Sequence, residues 1–235
     1  MSASSSFLWP KWASQVGRFP GLSHARRWTI AALAVGLVAV DYWLIWRKGE
    51  REVVVGALSL ALLCLFYLLG ARDLAALGLQ ARPVQGFRYW IKPSILIAVF
   101  VGIVIVVGDF VLARLGHPQL PVALPPEYFW QLFVYACRTG PLVEEAVYRL
   151  VLCNALVGVI GVWPAILVSG TFFGLLHVVG GGAAPDNLIA GFVLGWVFVR
   201  SGSIVLPLAL HSLGNLFINL WELGTWYWFF GQAAG

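Results

Sequence analysis

The chain has 235 residues, of which 60% are hydrophobic and 11% charged, and its mean hydropathy is +0.87. Repeated apolar runs of about 18 to 20 residues exclude a water-soluble core and point to an all-α, polytopic membrane bundle of seven or eight transmembrane helices. The net charge of +5 does not indicate nucleic acid, because most basic residues lie in the N-terminal tail and in short loops beside apolar spans, where they set topology.

Residues 1–27 have four serines in the first six positions and the scattered cations Lys11, Arg18, Arg26 and Arg27. They read as a basic, mobile tail that touches the lipid surface through Phe7, Trp9 and Trp12; residues 28–235 read as one transmembrane domain. The stretch 28–46 follows a basic pair as a signal peptide would, but it carries Asp41, ends at Arg47-Lys48 and lacks a small-residue cleavage site. It reads as a retained first span. Further spans are expected at 53–70, 94–113, 128–157, 162–179, 187–200 and 203–221.

Between the second and third spans, "ARDLAALGLQARPVQGFRYWIK" mixes cations with Leu, Phe and Trp, which suits a segment lying in the membrane interface. Gly180-Gly181-Gly182, followed by Pro185, marks a flexible connection. The C-terminal "WELGTWYWFFGQ" has three readings: the end of the last span, a short eighth helix, or an interfacial anchor. Cys64, Cys137 and Cys153 lie in apolar segments without metal-ligand spacing and read as small buried hydrophobes.

Placing the N-terminus in the cytoplasm puts nine Lys and Arg outside the spans on the inner side and four, Arg47, Lys48, Arg51 and Arg114, on the outer side. That asymmetry favours a cytoplasmic N-terminus.

Two cations remain, Arg138 and Arg149, and both fall in the fourth span with Glu144 and Glu145. Residues four apart share a helix face, so Glu145 can pair with Arg149, whereas Glu144 points about 100° away and reads as uncompensated. A buried ion pair that fixes register would account for Glu145; an unpaired intramembrane carboxylate is a functional candidate. The fifth span sets Phe173 one turn before His177, and the seventh sets His211 and Asn215 on one face.

Such a set suits hydrolysis. A carboxylate in an apolar site is a general base for water when a histidine shares or orients the proton, and His and Asn donors aimed at one point stabilise an oxyanion. No H-E-x-x-H, G-x-S-x-G or serine-nucleophile context is present.

The motifs Glu144-Glu145-Ala-Val-Tyr-Arg149, Phe173-Gly-Leu-Leu-His177 and His211-Ser-Leu-Gly-Asn215, in that order on successive spans, resemble the CPBP family, the CAAX protease and bacteriocin-processing endopeptidases. The resemblance covers about residues 127–221, with Tyr148 where Phe or Trp is frequent, a change expected to be harmless. It implies an intramembrane endopeptidase in which Glu144 and His177 activate water, His211 and Asn215 hold the oxyanion, and Glu145, Arg149 and Phe173 brace the site. Glu144, His177 and His211 could also ligate zinc, and the resemblance allows both types; a metal-free, glutamic-type mechanism with no cofactor is the expectation. The expected partners are the lipid bilayer and a membrane-anchored protein or peptide: a bacteriocin-like precursor, a lipid-modified C-terminus or a sorting tag with a hydrophobic helix. The expected location is a bacterial or archaeal inner membrane. Two further classes stay open, a proton-coupled transporter and a non-enzymatic immunity or scaffold protein.

Overall fold

The computed structural model describes residues 10, 13–19, 21–69, 72–114, 124–181 and 185–229. The lipid contacts expected of Phe7, Trp9 and Trp12 and Gly182 of the glycine triplet lie outside the described residues. Among the described residues the chain is all-helical, with no strand and one isolated bridge between Leu79 and Ser203. The helices in order are α1 (His24–Arg47), α2 (Arg51–Leu69), α3 (Phe87–Arg114), α4 (residues 126–160), α5 (Val162–Val179), α6 (Pro185–Ser201) and α7 (Val205–Phe229).

Among the described residues four stretches are long and apolar enough to cross a membrane: α1, α2, Phe87–Gly108 within α3, and α5. The apolar part of α6, Asn187–Ser201, is shorter, and α4 is interrupted. Residues 221–229 belong to α7, so of the three readings of the C-terminal aromatic run the first holds for the described part.

The helix ends follow local chemistry. The Ser23 hydroxyl accepts a hydrogen bond from the Arg26 amide and starts α1 four residues before the apolar run does. Lys48, at φ 52°, closes the helix, and the Gly49 amide donates to the Leu44 carbonyl (2.9 Å). Ile30, Ala34, Leu37, Val38, Asp41 and Leu44 form one buried stripe of α1, while Leu33, Trp43 and Trp46 face outward. Outward apolar side chains are the expected lipid face of a membrane helix, and α3 shows it most fully at Leu96, Val99, Phe100, Ile103 and Val107. Buried Trp90, edge-on to Trp196, pins the start of α3 to α6.

α4 is the central helix. Its α-helical pieces Pro126–Val134, Gly140–Glu145 and Asn154–Ile160 are separated by π-helical turns at Tyr135–Thr139 and Ala146–Cys153. Pro141 has no amide proton and crowds the carbonyl four residues back, which accounts for the first widened turn. Residues Val147 through Cys153 of the second are all buried.

α5 and α6 approach closely at glycines. A Cβ on Gly170 would lie 2.3 Å from Phe192 Cδ1, and one on Gly191 would lie 2.5 Å from the Gly170 carbonyl oxygen. Gly174 and Gly195 continue the same small-residue faces.

Two expectations change at the end of the bundle where α1 begins. The supposed mobile tail is folded there over residues 13–19: Ser14 donates through its amide and hydroxyl to the Val199 carbonyl (3.0 and 2.6 Å), the Gly17 amide donates to Ala76 (2.8 Å), and Val16, Phe19 and Leu22 are buried. The interfacial segment also packs on protein. Ala76 and Leu77 are buried, and Gly78, at φ 71°, lies against the Phe198 ring where a Cβ would approach within 2.4 Å.

Candidate active site

Glu144 and Glu145 lie at the end of the short α-helical piece between the two π-helical turns of α4, and they diverge as adjacent helical residues must. Glu145 Oε2 is 3.2 Å from Arg149 Nε, with the two side chains 1% and 0% exposed. Glu145 also has a second partner, because its Oε1 is 2.9 Å from His211 Nδ1.

Glu144 is not uncompensated, contrary to the sequence reading. Its Oε1 accepts from Arg51 Nη1 at 3.4 Å, and its Oε2 is 3.6 Å from His211 Nε2. Its side chain is 12% exposed, against 1% for Glu145, so Glu144 is the carboxylate that water can reach. His211, on α7, therefore stands between both glutamates.

Phe173 is the hub of the second motif. Its ring is edge-on to His211 (5.4 Å between centroids), tilted to His177 (4.8 Å) and covered by the Arg149 guanidinium at 4.5 Å. His177 Nδ1 is 3.0 Å from the Phe173 carbonyl oxygen. A carbonyl only accepts, so that nitrogen carries a proton, and in the neutral ring Nε2 presents a lone pair. Among the described residues His177 makes no ion pair with either glutamate, and it joins the group through Phe173.

Asn215 Nδ2 donates to the Ala136 carbonyl at 2.6 Å, in the π-helical turn before the glutamates. One amide proton is used there and the other is free to donate elsewhere. His211 and Asn215 do project from one face of α7, as their spacing requires.

A cavity of about 310 Å³ opens beside these residues between α3, α6 and α7. Gly102, Leu194 and Gly214 contribute to its apolar wall, and Phe173, His211 and Asn215 border it. The volume is that of a small-ligand site.

Among the described residues no three His, Cys, Asp or Glu side chains are grouped to hold a metal.

Sequence reasoning missed the contribution of α1 and α2. Asp41, wholly buried, receives Arg51 Nε (2.6 Å) and Nη2 (3.3 Å) and the Tyr148 hydroxyl (2.8 Å). Tyr148 is therefore more than a neutral replacement for Phe, and the neighbouring Tyr42 hydroxyl donates to the Phe172 carbonyl. Asp41 was legible as an intramembrane carboxylate. Arg51 was not, because it reads as a loop cation.

Residues 125–217 match the family described as type II CAAX prenyl endopeptidase Rce1-like. The match covers less than half of the chain and takes in all three motifs. Its description names an endopeptidase, and the several long apolar helices of this chain accord with an integral membrane location. Dipeptide and tripeptide permease A of Enterobacter sp. (strain 638) is 25% identical over 219 residues, covering 88% of this chain and 39% of the permease. The chain thus spans about two fifths of the length of that curated relative. No solved structure matches the chain at a significant level.

Proposed function

We propose that the protein is an intramembrane endopeptidase of the CAAX protease type, a seven-span bundle over residues 28–235 with its catalytic core at about 127–221. The observation that carries this is Glu144, the accessible carboxylate, set against His211 beside an apolar cavity. Asp41, Glu144 and Glu145 face Arg51 and Arg149, one negative charge in excess, and the group is neutral when His211 carries a proton on both nitrogens. His211 in that form donates to Glu145 through Nδ1, and its Nε2–H lies 3.6 Å from Glu144 Oε2.

In the reaction, Glu144 takes a proton from water while His177 Nε2 accepts the second hydrogen bond of that water. The water oxygen bonds to the carbonyl carbon. The developing oxyanion accepts from His211 Nε2–H and from the second amide proton of Asn215. The C–N bond then breaks, and the proton held by Glu144 passes to the leaving amine. No metal is required in this scheme, and the substrate is a membrane-anchored protein or peptide whose hydrophobic part occupies the cavity.

Orientation follows the same reading as before. With Arg51 committed to the interior, Arg47, Lys48 and Arg114 remain outside against nine cations inside, which supports a cytoplasmic N-terminus in a bacterial or archaeal inner membrane.

The test is cleavage of a farnesylated, internally quenched CAAX peptide by the protein in nanodiscs. Glu144→Ala and His177→Ala should each lower the rate by about a hundredfold or more while inserting normally. A normal rate in either variant refutes the assignment. The likeness to a permease favours one alternative, proton-coupled transport. It predicts a proton flux in liposomes that Glu144→Gln abolishes, with no cleavage in any variant.

A further inference from the structure

Asp41 lies in the last two turns of α1 and Arg51 opens α2, so the pair spans the turn at residues 48–50 and lies outside the family-matched segment. Both side chains are nevertheless spent inside the protein. Arg51 is 6% exposed and grips Asp41 with two nitrogens, while Asp41 is held from a third direction by Tyr148 on α4. A guanidinium clamped at two of its nitrogens has a fixed plane. The remaining nitrogen, Nη1, therefore has a set direction, and it points to Glu144 Oε1.

That contact decides which carboxylate oxygen is used. With Oε1 on Arg51, Glu144 presents Oε2 toward His211. The next group outward continues the same arrangement, since Glu52 accepts from the Tyr135 hydroxyl (2.8 Å) and ties the start of α2 to the π-helical turn of α4.

We propose that Arg51, fixed by Asp41, is a positioning residue that holds Glu144 by Oε1 and so leaves Oε2 for the reacting water. The role rests on the protease reading above. Among the described residues the charged groups near Glu144 are Asp41 from α1, Arg51 and Glu52 from α2, Glu145 and Arg149 from α4 and His211 from α7; Arg51 is the one within hydrogen-bond distance.

Two measurements on the full chain in nanodiscs test this. With the farnesylated quenched peptide, Arg51→Met should lower kcat by about tenfold or more with KM within about twofold of wild type. Arg51→Lys should recover little, because an ammonium cannot grip Asp41 at two points and reach Glu144 as well. A wild-type kcat in Arg51→Met overturns the proposal. The second measurement needs no substrate. A cysteine placed by Glu144→Cys should react with a methanethiosulfonate at a lower pH midpoint when Arg51 is present than in the Glu144→Cys, Arg51→Met double variant. Equal behaviour in the two backgrounds overturns the proposal. Failure of the wild type to cleave, with the thiol difference intact, counts against the protease reading and leaves the Arg51 contact standing.

Discussion

Glu145 and Arg149 meet where neither side chain touches solvent, and their 3.2 Å approach lacks hydrogen-bond geometry, since Arg149 Nε and Nη1 have no hydrogen-bond partner. The pair depends on charge. Glu145→Gln keeps the shape but leaves the guanidinium buried beside a neutral amide, an arrangement that typically costs about 3–5 kcal/mol. Glu144→Gln leaves Arg51 with Asp41 as counter-ion and should cost about 1 kcal/mol or less. Thermal unfolding in detergent should therefore separate the two adjacent glutamates by a large margin. Equal losses would mean that Glu145 is not the structural member. Glu145 also orients His211, so its substitution should lower activity even in molecules that remain folded.

Among the elements, the α5–α6 crossing is the most sensitive to added volume. The atom that a Gly191→Ala methyl would meet at 2.5 Å is the Gly170 carbonyl oxygen, which belongs to backbone and cannot swing aside. Separating the helices should cost about 1–3 kcal/mol and move Phe173 and His177 with α5, lowering turnover. Gly36→Ala on α1, where nothing lies within 4 Å, should leave both stability and turnover unchanged. An unaltered Gly191→Ala protein would show that the crossing is looser than these distances imply. The same elements mark what the sequence could and could not disclose. Phe173 with His177 and His211 with Asn215 are one turn apart, so helical period alone placed each pair on one face. The i, i+4 spacing likewise gave Glu145 to Arg149. No period connects Asp41 to Arg51, because their contact crosses a turn between antiparallel helices. Nor does the sequence announce the π-helical turns of α4, for which Pro141 is the local hint. Without those turns the Ala136 carbonyl that Asn215 caps would be expected to lie within an ordinary helical ladder.

At the scale of the whole molecule, the segment 13–22 acts as a clasp. It bridges the end of α6, the 72–86 stretch and the α4–α5 junction, where the Gly17 position lies against Val157. Composition suggested a tail because the residues are basic and scattered, yet Val16, Phe19 and Leu22 are spaced to bury together. Each is worth about 1.5–3 kcal/mol when fully buried. Deleting residues 1–22 should therefore lower the thermal midpoint markedly while leaving membrane insertion intact, as read by differential scanning fluorimetry beside a membrane-extraction assay. An unchanged midpoint would restore the picture of a free tail.

The clasp also marks one end of the bundle. Asp41, Arg51, His177 and Gly191 all lie within about two turns of the helix ends remote from it, roughly 9 Å or less along each axis. His211 comes from the other direction, six residues or about 9 Å along α7 from its clasp-side start, so the two ends of the bundle both contribute to the group around the glutamates. The clasp holds the α6–α7 turn through Ser14 on the Val199 carbonyl, and it is thereby linked to that group through α7.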